Sequence, residues 1–127
     1  MRFVKFLALL IALLASFAAG AITAGMRHWL QPIATVQIRN LSALDASSLV
    51  LTSRTANSTT TVDLGTLAAG KEVTARLIMA GEGSYQIRAT LSDGRVLTGG
   101  AGYVESGYST TELLRHDKIE SRSRFGY

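Results

Sequence analysis

The feature that most constrains this chain is an apolar run, Phe6 to Gly25, without a single charged residue. Phe6, Leu7, Leu9, Leu10, Ile11, Leu13, Leu14, Phe17 and Ile22 each favour insertion into hydrocarbon by about 0.3–0.6 kcal/mol, outweighing the few Ser, Thr and Gly. As a helix, about twenty residues extend about 30 Å, the thickness of a bilayer core. Residues 1–30 therefore read as one N-terminal transmembrane or signal helix. Arg2 and Lys5 form the positive flank that stays in the cytoplasm. Arg27 and His28 are the weaker flank, so the expectation is a single inner-membrane pass, N-in and C-out, with the rest of the chain in the periplasm. Trp29 suits either the headgroup region or the start of a folded core. The alternative is cleavage after Ala21, at Ala19-Gly20-Ala21, or after Ala18, which would leave a periplasmic or secreted protein. The run exceeds the ~7–15 residues of a signal-peptide core, which favours retention. Gly20 with Ala24, and Ala21 with Gly25, are small pairs four residues apart that let a second helix approach closely in lipid.

After Pro32, the only proline, the pattern changes to period two. Val36 and Ile38 alternate with polar neighbours in a strand over 34–40. Further strands are expected over 48–54, 59–64 and 73–79, the last alternating Val73, Ala75, Leu77, Met79 with Glu72, Thr74, Arg76, Ile78. Tyr85, Ile87, Ala89 and Leu91 mark the cleanest strand, and Asp93-Gly94 signals the hairpin after it. A return strand starts at Val96, is interrupted by Gly99, Gly100 and Gly102, which suggest a bulge, a bend or a close backbone approach, and is followed by strands at 103–104 and 108–114. About seven short strands, with turns about every 8–12 residues, predict an all-β fold, a small β-sandwich over 31–114. Residues 115–127 are charged and poor in apolar residues, and read as a basic exposed tail, although 111–119 has some helical character.

Leu64-Gly65-Thr66-Leu67-Ala68-Ala69-Gly70-Lys71-Glu72-Val73 resembles the turn that precedes a strand in immunoglobulin-like domains of exported bacterial proteins. Gly83-Ser84-Tyr85 and Asp93-Gly94-Arg95 are similar to the same pattern, which often carries Pro where this chain has Ala69. The resemblance implies an immunoglobulin-like sandwich and no particular activity.

The chain has no cysteine, which excludes a disulfide framework, thiolate metal sites and thiol catalysis. Beyond residue 26, 11 basic residues face nine acidic ones, a balance unlike a nucleic-acid footprint. His28 and His116 lie far apart in sequence, so neither a His-dependent triad nor a metal centre is expected, and no cofactor is implied. The glycines at 99–102 lack phosphate-loop spacing. The acids are scattered, and a pair such as Glu105 and Glu112 is what a small envelope hydrolase could use. Asn40-Leu41-Ser42 and Asn57-Ser58-Thr59 match the glycosylation sequon, which matters only in a eukaryotic source.

Two stretches suit contact instead. Tyr103 and Tyr108 flank a glycine-containing turn, and tyrosine combines apolar area with a hydroxyl. Arg122, Arg124, Phe125 and Tyr127 put basic and aromatic residues at the C-terminus, where an acidic partner, anionic lipid or envelope polymer would be met. The expectation is a non-enzymatic, membrane-tethered envelope protein acting through a protein partner or self-association. A periplasmic inhibitor or immunity-type protein is the alternative, and a small hydrolase the third reading.

Overall fold

The computed structural model describes residues 2–26 and 32–124. They form two compact units, which divide after Gln31. The first is helix α1 (Arg2–Met26). Its stretch Val4–Met26 has a mean hydropathy of 2.4 and buries none of its surface, with Phe17 77% exposed. Its hydroxyls turn inward on the backbone: Ser16 Oγ donates to the Ala12 carbonyl at 2.9 Å and Thr23 Oγ1 to that of Ala19 at 2.8 Å. In hydrocarbon such bonds satisfy groups that water cannot reach. Around Gly20 and Gly25 there is open space, so the stripe formed with Ala21 and Ala24 is free for close approach.

The second unit has eight strands: β1 (Ile33–Asn40), β2 (Ala46–Thr55), β3 (Thr59–Leu67), β4 (Glu72–Ile78), β5 (Gly83–Leu91), β6 (Val96–Val104), β7 (Ser109–Leu114) and β8 (Ile119–Arg124). They make two four-stranded sheets, ordered β4-β1-β7-β8 and β3-β2-β5-β6. β1 and β7 run parallel, and every other neighbouring pair is antiparallel. Period two places Ala34, Val36 and Ile38, Leu49 and Leu51, Ala75 and Leu77, and Tyr85, Ile87, Ala89 and Leu91 inside one core. Each large side chain there contributes about 1.5–3 kcal/mol by leaving water, the main support of a domain without cross-links.

Two expectations need correction. The glycines do not interrupt the return strand, because β6 runs unbroken through them. A side chain at Gly99 would meet Ile119, and one at Gly100 (φ 137°) would overlap the Tyr85 carbonyl oxygen. Glycine is what lets neighbouring strands close on β6. The expected bulge is present, where Gly102 and Tyr103 lie opposite Ser84 and the pairing shifts between Gly83 and Tyr85. The second correction concerns the tail. Residues 119–124 are β8, paired with β7 from Leu114↔Ile119 to Ser109↔Arg124. Ile119 packs against the core, so one apolar side chain and a ladder suffice where composition suggested an exposed end.

Candidate functional site

Glu112 is fully buried in β7, on the inward parity it shares with Thr110 and Leu114. The Tyr85 hydroxyl donates to its Oε1 at 2.5 Å, and Ser121 Oγ lies 2.9 and 2.7 Å from its two carboxyl oxygens. Ser121 Oγ also lies 3.3 Å from the Gly100 carbonyl. One carboxylate thus ties β7 to β5 in the opposite sheet and, through β8, to β6. No basic side chain among the described residues pairs with it. A buried carboxyl is tolerated when hydroxyl donors replace water, as here. Burial, and then the bond to and charge of Glu112, push the Tyr85 phenol far above its ordinary 10.0, with Thr110 opposing. A raised phenol stabilises the fold fully below pH 10.0, and the effect is lost as pH climbs further, because the unfolded chain ionises first. Melting temperature should therefore fall above pH 10.0, and Tyr85→Phe should flatten that fall while lowering stability at neutral pH by about 1–3 kcal/mol.

A second cluster lies at the end of the sandwich where the chain enters. There the Met79 N–H donates to the Pro32 carbonyl at 2.6 Å and the Gly107 N–H to that of Ile33 at 2.8 Å. Tyr103 and Tyr108 meet edge to face, with ring centroids 5.9 Å apart. The Tyr103 hydroxyl reaches Glu82 Oε1 at 3.5 Å. Partial desolvation, then the Glu105 and Glu82 charges, push its phenol up to about 12. The ladder puts Arg124 opposite Ser109 at this same end, and Arg122 opposite Thr111. Arg122 Nη2 lies 3.4 Å from Glu120.

The outer face of the second sheet is polar. Register aligns Thr61, Thr52, Gln86 and Gly100 in one row, and Thr59, Arg54 and Ser84 in the next. With no side chain on Gly100 and Gly102, a shallow open trough of about 470 Å³ forms over β6, bordered by Arg54, Ser84, Gln86 and Thr98. Its groups can hydrogen-bond, but it contains no residue pair suited to acid–base or nucleophilic chemistry.

The structure thus brings the two tyrosines together and sets Arg122 and Arg124 on an adjoining strand. Phe125 and Tyr127, like Arg27, His28 and Trp29, lie outside the described residues. Glu105 and Glu112 do not form an acid pair: Glu105 acts on Tyr103, whereas Glu112 is buried and bonded to Tyr85 and Ser121. His116 places its ring nitrogens 3.3 and 3.4 Å from Arg95 Nη1, and among the described residues no group of acids and histidines could hold a metal.

Asn40, the first residue of one glycosylation sequon, is fully buried. Its Nδ2 donates to the Leu44 and Leu67 carbonyls, both at 2.9 Å, and its Oδ1 accepts from Ser42 N and Oγ at 3.1 and 2.6 Å. No acceptor nitrogen is left for a sugar. Asn40→Ala should cost about 2–4 kcal/mol by orphaning these buried groups, as chemical denaturation would measure. The sequence signal was parity: Asn40 continues the inward series 34, 36, 38. Tyr85 carried the same signal, but its partner in another strand could not be read.

These features define a two-sheet β-sandwich preceded by one apolar helix. No family model matches the chain, and no curated protein matches it in sequence. Among solved structures, it is similar to the "NMR structure of the protein from Eubacterium rectale", at 16% identity and a TM-score of 0.54. That match covers 74% of this chain and 90% of the other, a likeness of fold alone.

Proposed function

We propose that this protein is a non-enzymatic, membrane-tethered envelope protein whose immunoglobulin-like sandwich works by contact with another protein or with a second copy. In this reading α1 crosses the inner membrane, with its N-terminus in the cytoplasm and the sandwich in the periplasm. The observation that carries it is the helix: 23 residues of hydropathy 2.4, exposed all round, need an apolar medium or another helix to cover them.

Strand addition is the contact that the sandwich favours. β3 is an outer strand of its sheet, nine residues long without Pro or Lys, and among the described residues only β2 pairs with it. An open row of backbone donors and acceptors is a template for an added strand. Two differently tagged full-length copies, co-expressed and solubilised in mild detergent, should co-purify, and Thr61→Cys should cross-link on β3 to a neighbouring chain. A protein that stays monomeric at high concentration and retains no second chain would overturn the proposal.

A further inference from the structure

We propose that the Pro32 end of the sandwich rests on an anionic lipid surface, so that the domain is held against the bilayer as well as tethered to it. This rests on the reading of α1 as a retained membrane helix. The chain enters the sandwich at this end, and five residues, 27–31, connect Pro32 to Met26, reaching at most about 22 Å. Two exposed apolar side chains lie here: Ile78, 75% exposed at the end of β4, and Tyr103, 48% exposed on the bulge of β6. They occupy different sheets, and a flat lipid interface can receive both at once, as a single pocket cannot.

Charge favours the same assignment. At the opposite end the arginines are engaged in ion pairs, Arg39–Glu72, Arg95–Asp93 and Arg115–Glu120. At the Pro32 end Arg54 and Arg76 make no ion pair among the described residues. Among the described residues the acids near them are Glu82 and Glu105, and both carboxylates act on Tyr103. Basic groups beside apolar and aromatic residues within a Debye length of a bilayer are drawn to anionic headgroups. The same arginines would meet phosphate on any carrier, but the length of the connection selects lipid.

The cysteine-free chain allows a direct test. The full-length protein, with an environment-sensitive fluorophore at Ile78→Cys, Tyr103→Cys, Val96→Cys or Leu13→Cys, is reconstituted in phosphatidylcholine vesicles with and without phosphatidylglycerol. Headgroup-region quencher lipids report contact. Labels at 78 and 103 should shift to the blue and be quenched, more so with phosphatidylglycerol and less at high salt. The label at 96, at the opposite end, should behave as in water. Arg54→Gln with Arg76→Gln should abolish the phosphatidylglycerol dependence. Labels at 78 and 103 as water-exposed as that at 96, with the label at 13 in lipid, would overturn the lipid contact alone. Shielding at 78 without lipid quenching would mean that protein covers this end, and would overturn it too. A label at 13 that lipid does not surround would overturn the membrane anchor itself. Ile78 is mostly exposed, so its replacement leaves the core intact.

Discussion

Ending the chain at Leu114 should abolish cooperative folding of the sandwich. Residues 115–127 look dispensable by composition, yet they contain β8, which pairs with β7 over six residues. Their removal strips Ile119 from its place against Gly99 and the core, and opens the β7 edge to solvent. It also takes Ser121 from the Glu112 carboxylate. Losing a strand ladder, a packed isoleucine and a partner of a buried acid should cost about 5 kcal/mol or more, comparable with the whole stability of a small domain. Circular dichroism and thermal melting of the truncated chain should show no cooperative transition. A chain ending at Leu114 that melts like the full protein would show β8 to be an appendage.

The second large effect is expected at Glu112. Glu112→Ala should destabilise by about 2–4 kcal/mol, since it opens a cavity, leaves the buried Tyr85 hydroxyl without its acceptor and takes a partner from Ser121. Glu112→Gln keeps the volume: the amide oxygen accepts from Tyr85 while the amide nitrogen donates to Ser121 Oγ. It should cost no more than about 1.5 kcal/mol. The contrast separates a structural carboxyl from a chemical one. A structural group tolerates the amide and fails as alanine, whereas a catalytic acid loses activity in both with stability little changed. Equal stability losses for the two variants, by urea denaturation, would contradict the hydrogen-bonding role.

Much of the fold is legible along the chain, for a simple physical reason. An alternating strand declares its inner face residue by residue, so Val36, Ile38, Leu77, Ile87 and Leu91 could be assigned inward without knowing their neighbours. The helix was equally plain, because transfer free energy accumulates over consecutive residues. Pairing between sheets left no such trace. Glu112 and Tyr85 lie 27 residues apart, and nothing local says that their side chains meet. β8 was hidden because its ladder supplies what its side chains lack, whereas Gly99 and Gly100 pointed to a close approach and are where β8 and β5 come closest, though within an unbroken strand. Asn40 shows that a short pattern misleads when parity is ignored: the sequon sits on an inward position. At the Pro32 end, Tyr103 and Tyr108 were found by spacing. The exposure of Ile78 agrees with its outward parity, yet its company at one end of the sandwich with Tyr103, Arg54 and Arg76 needed the topology.

Contact at a membrane requires that the helix remain, so the proposed function stands or falls with α1. The most direct measurement is the intact mass of the protein isolated from membranes of its expressing host. Retention predicts a species that still contains Phe6–Gly25, extracted by detergent and not by alkaline carbonate. A mature species beginning at Ile22, soluble without detergent, would contradict membrane anchorage and leave the sandwich a free exported protein.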